Sequence, residues 1–151
     1  MTVIVYKNGV MAADTQETVN GVPRRCIKLY KVGKDIIGTA GDSYTGMMFV
    51  DWWKAGAKNK EKPDLTNLDA EEEDFECLVW TKGKLYSVTR LFQMVEINLD
   101  DHPYYAIGCG AAVAYGALAM GATAKRAVEI TCDYDINCGL PVEIKRCLEE
   151  D

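Results

Sequence analysis

The sequence predicts an α+β sandwich, and three observations support this fold class. Short strand-like segments come in neighbouring pairs joined by turn residues, as antiparallel hairpins require. Segments with helical spacing occur in two separate blocks, so the order along the chain is strands, helix, strands, helices and a last strand. This order differs from the regular alternation of strand and helix that gives a parallel sheet. The length of 151 residues suits one domain with one full core, which we expect to span residues 1–151.

Strands are predicted where short apolar or alternating segments lie between turn residues. They are residues 2–7, 10–14, 26–30, 35–38, 75–80, 85–89 and 104–107, with one more short strand after residue 142. Helices are predicted where apolar residues recur at helical spacing behind a capping residue. The first has Asp42 or Ser43 as its N-cap and runs through Trp53, and the others cover about 111–120 and 123–135, the last with Thr123 as N-cap.

The first hairpin has two possible registers. A two-residue type I′ turn at Asn8-Gly9 would place Val3 opposite Asp14, whereas a three-residue loop ending at Gly9 would place Thr2 opposite Asp14. The two registers differ by one residue, which changes the face on which side chains meet. A catalytic role for Thr2 favours the three-residue loop, but the sequence leaves both registers open.

Charge and composition exclude several classes of partner. The net charge of −6 argues against nucleic acid, which requires a basic face. Residues 104–124 carry no charge, but they are rich in Gly and Ala, so we expect a strand, a glycine turn and a helix there and no membrane partner. The six cysteines include no C-x-x-C pair, so zinc-ligand spacing is absent and no cofactor is required. No secretory leader is visible, so we expect a cytoplasmic protein with reduced thiols.

Thr2 would become the first residue if Met1 is removed, which we expect because threonine is small. A threonine hydroxyl is a weak nucleophile until a base takes its proton. A free α-amine, whose reference pKa is about 7.7–8.0, can be that base near neutral pH. An N-terminal threonine would therefore carry both nucleophile and base.

Five segments together resemble the proteasome β-subunits and the HslV-type bacterial peptidase. In chain order, they are TVIVYKNGVMAAD, IKLYKV, IIGTAGD, YYAIGCG and DINCGLPVEI, and the resemblance covers most of the chain. This family belongs to the Ntn-hydrolase superfamily. The resemblance implies a four-layer αββα sandwich, in which antiparallel sheets are flanked by helices, with an N-terminal threonine as nucleophile.

The resemblance also implies roles for individual residues. Thr2 matches the nucleophile, Lys28 the catalytic lysine and Asp14 the acidic residue that holds this lysine. An ammonium beside Thr2 would favour loss of the hydroxyl proton. Gly38 matches the glycine whose backbone N–H forms the oxyanion hole.

Cys109 and Cys138 fall where the proteasome pattern has two serines around the threonine amine, and Asp135 matches the aspartate between them. The change to cysteine departs from the pattern, because a thiol is a weaker donor and acceptor than a hydroxyl. In the HslV-type branch, backbone carbonyls nearby hold a monovalent cation. The matching positions are Cys132, Asp135 and Cys138.

Strand alternation predicts the substrate pocket. Cys26, Lys28 and Tyr30 would share one face of their strand, so Cys26 and Tyr30 would line a pocket beside Lys28. Ile36 and Ala40 would complete the pocket from either side of Gly38. None of these four pocket residues is charged, which predicts an apolar S1 pocket and cleavage after hydrophobic residues.

The sequence therefore predicts a threonine-type endopeptidase that acts on peptides or unfolded proteins. The resemblance implies a homo-oligomeric ring and an ATPase unfoldase as partner. The segment between Ser43 and Phe75 has room for one helix and not the usual pair, which makes ring assembly a weaker expectation than the fold. The alternatives are a non-catalytic structural or interaction subunit of the same fold, and an Ntn amidase that acts on small amides.

Overall fold

Antiparallel strands and three α-helices make up most of the computed structural model, which describes residues 2–63, 75–89 and 91–148. The first strands are β1 (Ile4–Lys7), β2 (Val10–Ala13), β3 (Gln16–Val19), β4 (Val22–Arg25), β5 (Leu29–Val32) and β6 (Asp35–Ala40). The later strands are β7 (Glu76–Thr81), β8 (Lys84–Val88), β9 (Met94–Glu96), β10 (Tyr104–Ile107) and β11 (Glu143–Arg146). The helices are α1 (Ser43–Lys54), α2 (Ala111–Ala119) and α3 (Ala124–Tyr134), with a 3₁₀ turn at Asn59–Glu61.

The elements form four layers. One sheet has the strand order β10-β1-β2-β11 and the other β5-β6-β7-β8-β9, while β3 and β4 form a separate ribbon. Helices α2 and α3 cover the outer face of the first sheet, and α1 covers the outer face of the second. The fold class predicted from the sequence, an αββα sandwich of antiparallel sheets flanked by helices, is confirmed.

Strand β1 is buried on both faces, which explains its nearly continuous apolar sequence. Alternation points Val5 toward α2 and α3, while Ile4 and Tyr6 point toward the second sheet. The aromatic ring of Tyr6 stacks on Trp80 of that sheet, with a centroid distance of 5.5 Å. Strand β1 therefore lies between two parts of the core, and this holds Thr2 and Val3, which precede it, in place.

Predicted caps and helices agree with the structure. The Asp42 carboxylate caps α1 by accepting the N–H groups of Tyr44 and Thr45. The Thr123 hydroxyl oxygen caps α3 by accepting the N–H of Arg126 at 3.1 Å. The uncharged stretch folds as β10, a turn and α2, as predicted. Within the described ranges, no helix is long and apolar enough to cross a membrane.

Some boundaries differ from the prediction. The strand expected at 26–30 begins at Leu29, because Cys26 donates its N–H to the carbonyl of Thr15 at 2.9 Å and so leaves the second sheet. Strands β3, β4 and β9 were not predicted, since they are short and largely polar or exposed. In the segment between Ser43 and Phe75, where one helix is expected, the described residues form α1 and the 3₁₀ turn, and residues 64–74 lie outside the described part.

Candidate active site

The register of the first hairpin is the one set by a two-residue turn. Asn8 and Gly9 form this turn, both with positive φ, as type I′ geometry requires. Beyond the β1–β2 ladder, Asp14 donates its N–H to the carbonyl of Val3 at 3.2 Å. The register that would place Thr2 opposite Asp14, which the catalytic role favoured, is therefore wrong, because the observed turn has two residues and not three.

The carboxylate of Asp14 is completely buried and accepts four hydrogen bonds. Oδ1 accepts the N–H of Val3 at 3.1 Å and the ammonium of Lys28 at 2.8 Å. Oδ2 accepts the N–H of Gln16 at 3.2 Å and that of Gly139 at 3.1 Å. These donors replace the water that the charged group has lost, so the carboxylate can hold an ammonium in a fixed position.

Lys28 lies just before β5 and is 5% exposed. Its carbonyl accepts the N–H of Thr39 at 3.0 Å, which anchors its backbone to β6. Removing two charges from water can cost as much as their attraction returns, so a buried ion pair is weak support for a purely stabilising role. The pair formed by Lys28 and Asp14 is therefore a candidate functional group.

The turn between β10 and α2 also holds Thr2 in place. Its carbonyl accepts the N–H of Gly110 at 3.3 Å and faces the thiol of Cys109 at 3.6 Å. Gly108 has a φ of 97°, and a Cβ on this residue would overlap the Thr2 carbonyl. The glycine turn thus permits a close approach of two backbone segments.

Thr2 and Lys28 line the same cavity, which has a volume of about 690 Å³. This size lies within the usual range for ligand-binding clefts. Cys26 and Tyr30 also line the cavity, although Cys26 precedes β5. The structure thus places these two predicted pocket residues beside Thr2 and Lys28.

Ile36 and Ala40 do not belong to this cavity, so the prediction that they complete it is wrong. Both side chains are buried in the core between the two sheets. Alternation along β6 explains the error, since residues 36, 38 and 40 share one face and this face points away from the cavity. The four predicted pocket residues are uncharged, but the charged residues Glu17 and Arg25 also contribute to the lining of the cavity.

Gly38 shares the buried face of β6 and lies away from the site. A Cβ on Gly38 would lie 2.9 Å from Ile4 Cγ2 and 3.1 Å from Met11 Sδ, so its small size allows the two sheets to approach closely. The glycine that lines the cavity is Gly41, which has a φ of 90°. Its position between the end of β6 and the α1 cap at Asp42 is the sequence signal that could have identified it.

Three predicted site residues meet behind Thr2. The Sγ atoms of Cys109 and Cys138 and a carboxylate oxygen of Asp135 all lie within 4.8 Å of one another. Asp135 Oδ2 lies 3.8 Å from the Cys109 Sγ, while its Oδ1 accepts the N–H of Asn137 at 2.9 Å. The structure therefore brings the thiol of Cys109 to a carboxylate and a thiol that lie 26 or more positions later in the sequence.

The monovalent cation implied by the resemblance stays a prediction. The carbonyl of Asp135 already accepts the N–H of Cys138 at 3.1 Å, which leaves it one lone pair. Cys132 lies in the last turn of α3, where a carbonyl has no intrahelical donor. The carbonyl oxygens of Cys132 and Asp135 could therefore each bind a cation.

Burial raises the pKa of the cysteines around the site. The pKa of Cys132 rises to about 11, chiefly through burial and then through the negative charge of Asp14. Burial raises the pKa of Cys138 well above its ordinary value, and the negative charge of Asp14 adds to the shift. The pKa of Cys26 rises through burial, although the nearby Lys28 opposes the shift. These three thiols are protonated near neutral pH.

The layers, the sheet order and the placement of Thr2 define a fold of the proteasome-type Ntn-hydrolase class. The chain is similar to HslV from Trypanosoma brucei, with a TM-score of 0.68 and 16% identity over 95% of this chain and 97% of that one. It is also similar to BPH from Thiobacillus denitrificans in complex with epoxomicin, with a TM-score of 0.64 and 19% identity over 97% of this chain and 98% of that one.

A second structure of Thiobacillus denitrificans BPH matches with a TM-score of 0.63 and 17% identity over 99% of both chains. No protein-family model and no curated protein matches the sequence. The chain therefore has the fold of HslV and proteasome-like peptidases at low sequence identity.

Proposed function

We propose that the chain, once Met1 is removed, is a threonine-type endopeptidase. The observation that carries this proposal is the cavity shared by Thr2 and Lys28, in which the Lys28 ammonium is fixed by the buried carboxylate of Asp14. A threonine nucleophile requires a base for its hydroxyl proton, here the α-amine, and a fixed positive charge in the same cavity favours loss of that proton. The ion pair is otherwise costly to bury.

In the proposed reaction, the α-amine of Thr2 takes the proton of the Thr2 hydroxyl while the hydroxyl oxygen bonds to the peptide carbonyl carbon. The Lys28 ammonium stabilises the negative charge that develops. The peptide C–N bond then breaks, and the leaving nitrogen receives the proton from the α-amine. Water attacks the resulting ester, with the amine again as base, and this step releases the acid product and restores Thr2.

Gly41 is our proposed oxyanion-hole donor in place of Gly38. Along β6, the N–H of Thr39 points to the carbonyl of Lys28, and alternation directs the next N–H on that side, that of Gly41, toward the cavity. A donor aimed at the developing oxyanion contributes about 2.7–4 kcal/mol in other enzymes.

We propose that the enzyme prefers apolar residues at the cleavage site. Tyr30 and Met47 line the cavity, and the Tyr30 hydroxyl lies 3.8 Å from the Met47 sulfur. Arg25 and Glu17 border the same cavity and offer charges of both signs. A panel of fluorogenic peptides tests this preference: faster cleavage after Arg or Glu than after Leu or Tyr contradicts it.

The proposal also includes self-assembly into a ring, an ATPase unfoldase as partner and a cytoplasmic location. Large apolar side chains near the ends of α2 and α3 support contacts between copies, because Met120, Tyr134 and Ile136 are 89%, 79% and 90% exposed. Peptides or unfolded proteins are the proposed substrates. Analytical ultracentrifugation of the purified chain would test the assembly.

The deciding experiment is intact mass measurement of untagged protein before and after incubation with a peptide epoxyketone. This reagent requires both the hydroxyl and the free amine of an N-terminal threonine. We expect the loss of one Met and then one adduct per chain, with no adduct on the Thr2→Ala variant. The Thr2→Ser variant is the matched control, since it retains a hydroxyl.

Two other outcomes would favour the alternatives. Retention of Met1 without an adduct would favour a non-catalytic subunit, an alternative that the thiols at Cys109 and Cys138 also support because they are weak hydrogen-bonding groups. Removal of Met1 without an adduct would favour an amidase with a differently shaped pocket.

A further inference from the structure

We propose that Cys109, Asp135 and Cys138 form a binding site for one thiophilic divalent cation of the zinc class. Their potential ligand atoms lie within 4.8 Å of one another. Ligand atoms around a tetrahedral zinc are separated by about 3.5–3.8 Å, given Zn–S and Zn–O distances of about 2.3 and 2.1 Å. Small side-chain rotations would therefore close the three ligands around an ion.

The donor set favours a soft or borderline cation over Na⁺, Mg²⁺ or Ca²⁺. Two sulfur ligands and one carboxylate suit zinc, whereas the hard cations prefer oxygen ligands alone. The proposed ligands are side-chain atoms, so this site differs from one formed by backbone carbonyls. The sequence contains no zinc-type spacing, because the ligands come from the β10–α2 turn and from the segment after α3.

The surroundings hold the ligands in position. The N–H of Asn137 binds Asp135 Oδ1 at 2.9 Å and leaves Oδ2 directed at Cys109. The N–H of Cys138 binds the Asp135 carbonyl at 3.1 Å, which fixes the turn that carries two of the ligands. Such outer contacts commonly orient metal ligands.

The site is open to solvent on one side and adjoins Thr2 on the other. Cys109 is exposed, while Cys138 is buried against the helical layer. The Cys109 Sγ also lies 3.6 Å from the Thr2 carbonyl oxygen. Three protein ligands leave a tetrahedral ion one open position, which the α-amine of Thr2 could fill after removal of Met1, because Thr2 contacts Cys109.

Occupation of this position would block the proposed peptidase. An amine bound to a cation has no lone pair with which to take the hydroxyl proton. The cation would therefore act as a reversible inhibitor, an effect that rests on the proposed function. Binding itself does not depend on that function.

A direct binding experiment tests the site. Reduced, processed full-length protein is titrated with Cd²⁺ while the sulfur-to-metal absorption is recorded, and bound Zn²⁺ is counted by native mass spectrometry. We expect one ion per chain and an affinity that falls at least about tenfold in Cys109→Ser, Cys138→Ser and Asp135→Asn. Cys147→Ser is the matched control, because this cysteine is buried in the core between the two sheets, outside the set, and the affinity of this variant is expected to be unchanged.

Circular dichroism melting of each variant separates loss of the site from loss of the fold. Three results would overturn the proposal: no ion bound by the wild-type chain, unchanged binding in a folded Cys109→Ser/Cys138→Ser double variant, or a Cys109–Cys138 disulfide that forms in place of the metal complex.

The inhibitory effect is measured separately as the rate of epoxyketone adduct formation with and without Zn²⁺. We expect slower labelling with Zn²⁺ and recovery on addition of a chelator. Labelling that Zn²⁺ does not slow would overturn inhibition. If the protein binds Zn²⁺ but the metal-free protein is not labelled by the epoxyketone, the result would contradict the proposed peptidase and its inhibition. It would not contradict the proposed metal site.

Discussion

Gly108 lies against the carbonyl of Thr2 so closely that a side chain on it would overlap this oxygen. The positive φ of 97° at Gly108 adds a second penalty for any other residue. We therefore expect Gly108→Ala to displace Thr2, lower the melting temperature and abolish epoxyketone labelling. The matched control is Gly116→Ala, which adds a Cβ with no neighbour within 4 Å on the exposed face of α2. It should be stabilising by up to about 1 kcal/mol in urea unfolding, with labelling retained. Equal melting temperatures for the two variants would contradict this account.

Loss of the Lys28 ammonium should affect both activity and stability. Lys28→Met leaves the buried carboxylate of Asp14 without its cation, and breaking a buried pair from one side costs about 3–5 kcal/mol. We expect a lower free energy of unfolding in urea and a loss of peptide cleavage measured as kcat/KM. The control is Lys84→Met, which removes an exposed lysine paired with Glu96 and should change neither quantity appreciably. An active Lys28→Met enzyme would exclude Lys28 from the chemistry.

Gly38 and Gly41 should respond differently to the same substitution. Gly38→Ala places a methyl group against Ile4 and Met11, and overpacking of this kind costs about 1–3 kcal/mol. We expect lower stability with normal kcat for the folded fraction. Gly41→Ala alters a residue with positive φ at the cavity wall, so kcat should fall about 10²–10³-fold if its N–H binds the oxyanion. Steady-state kinetics at a temperature where both variants are folded distinguishes them, and the reverse pattern would restore Gly38 as the donor.

Stability should decline in alkaline solution because of the buried thiols. The folded-state pKa of Cys132 is raised from 9.0 to about 11. Between these values the unfolded chain releases the thiol proton while the folded chain keeps it, so stability falls as pH rises. Below about pH 9 this contribution is fully present, and above about pH 11 it is lost. Urea titrations across this range should give a shallower decline for Cys132→Ser than for the wild type. Parallel curves would show that Cys132 does not contribute.

Periodic segments predicted most strands and all three helices of this fold, whereas the four layers were implied by the resemblance to proteasome β-subunits and HslV-type peptidases. The alternating segment at 2–7 and the helical spacing after Thr123 match β1 and α3 within about two residues at each end. Strand β5 was misplaced at its start, since only tertiary structure reveals that Cys26 pairs with Thr15. The ribbon of β3 and β4 lacks an apolar face and gives little periodic signal.

The candidate site was less predictable than the fold. The resemblance identified Thr2, Asp14 and Lys28. In the structure, Thr2 and Lys28 line one cavity, and Asp14 forms an ion pair with Lys28. The resemblance assigned the oxyanion hole to Gly38, which faces the core, whereas Gly41 in the same short segment lines the cavity. Only the direction of each residue along the strand distinguishes the two glycines. The contact between Asp14 and Gly139 joins residues 125 positions apart, which no local pattern encodes.

This long contact has a consequence for the timing of biosynthesis. Gly139 leaves the ribosome 125 residues after Asp14, and it supplies both an N–H to the Asp14 carboxylate and a carbonyl to the N–H of Thr15. A nascent or prematurely terminated chain that lacks Gly139 therefore carries its threonine and lysine without the complete support for the carboxylate between them. For the proposed peptidase, this order of synthesis would delay completion of the site until almost all of the described fold has been made, so an unfinished chain would have little activity.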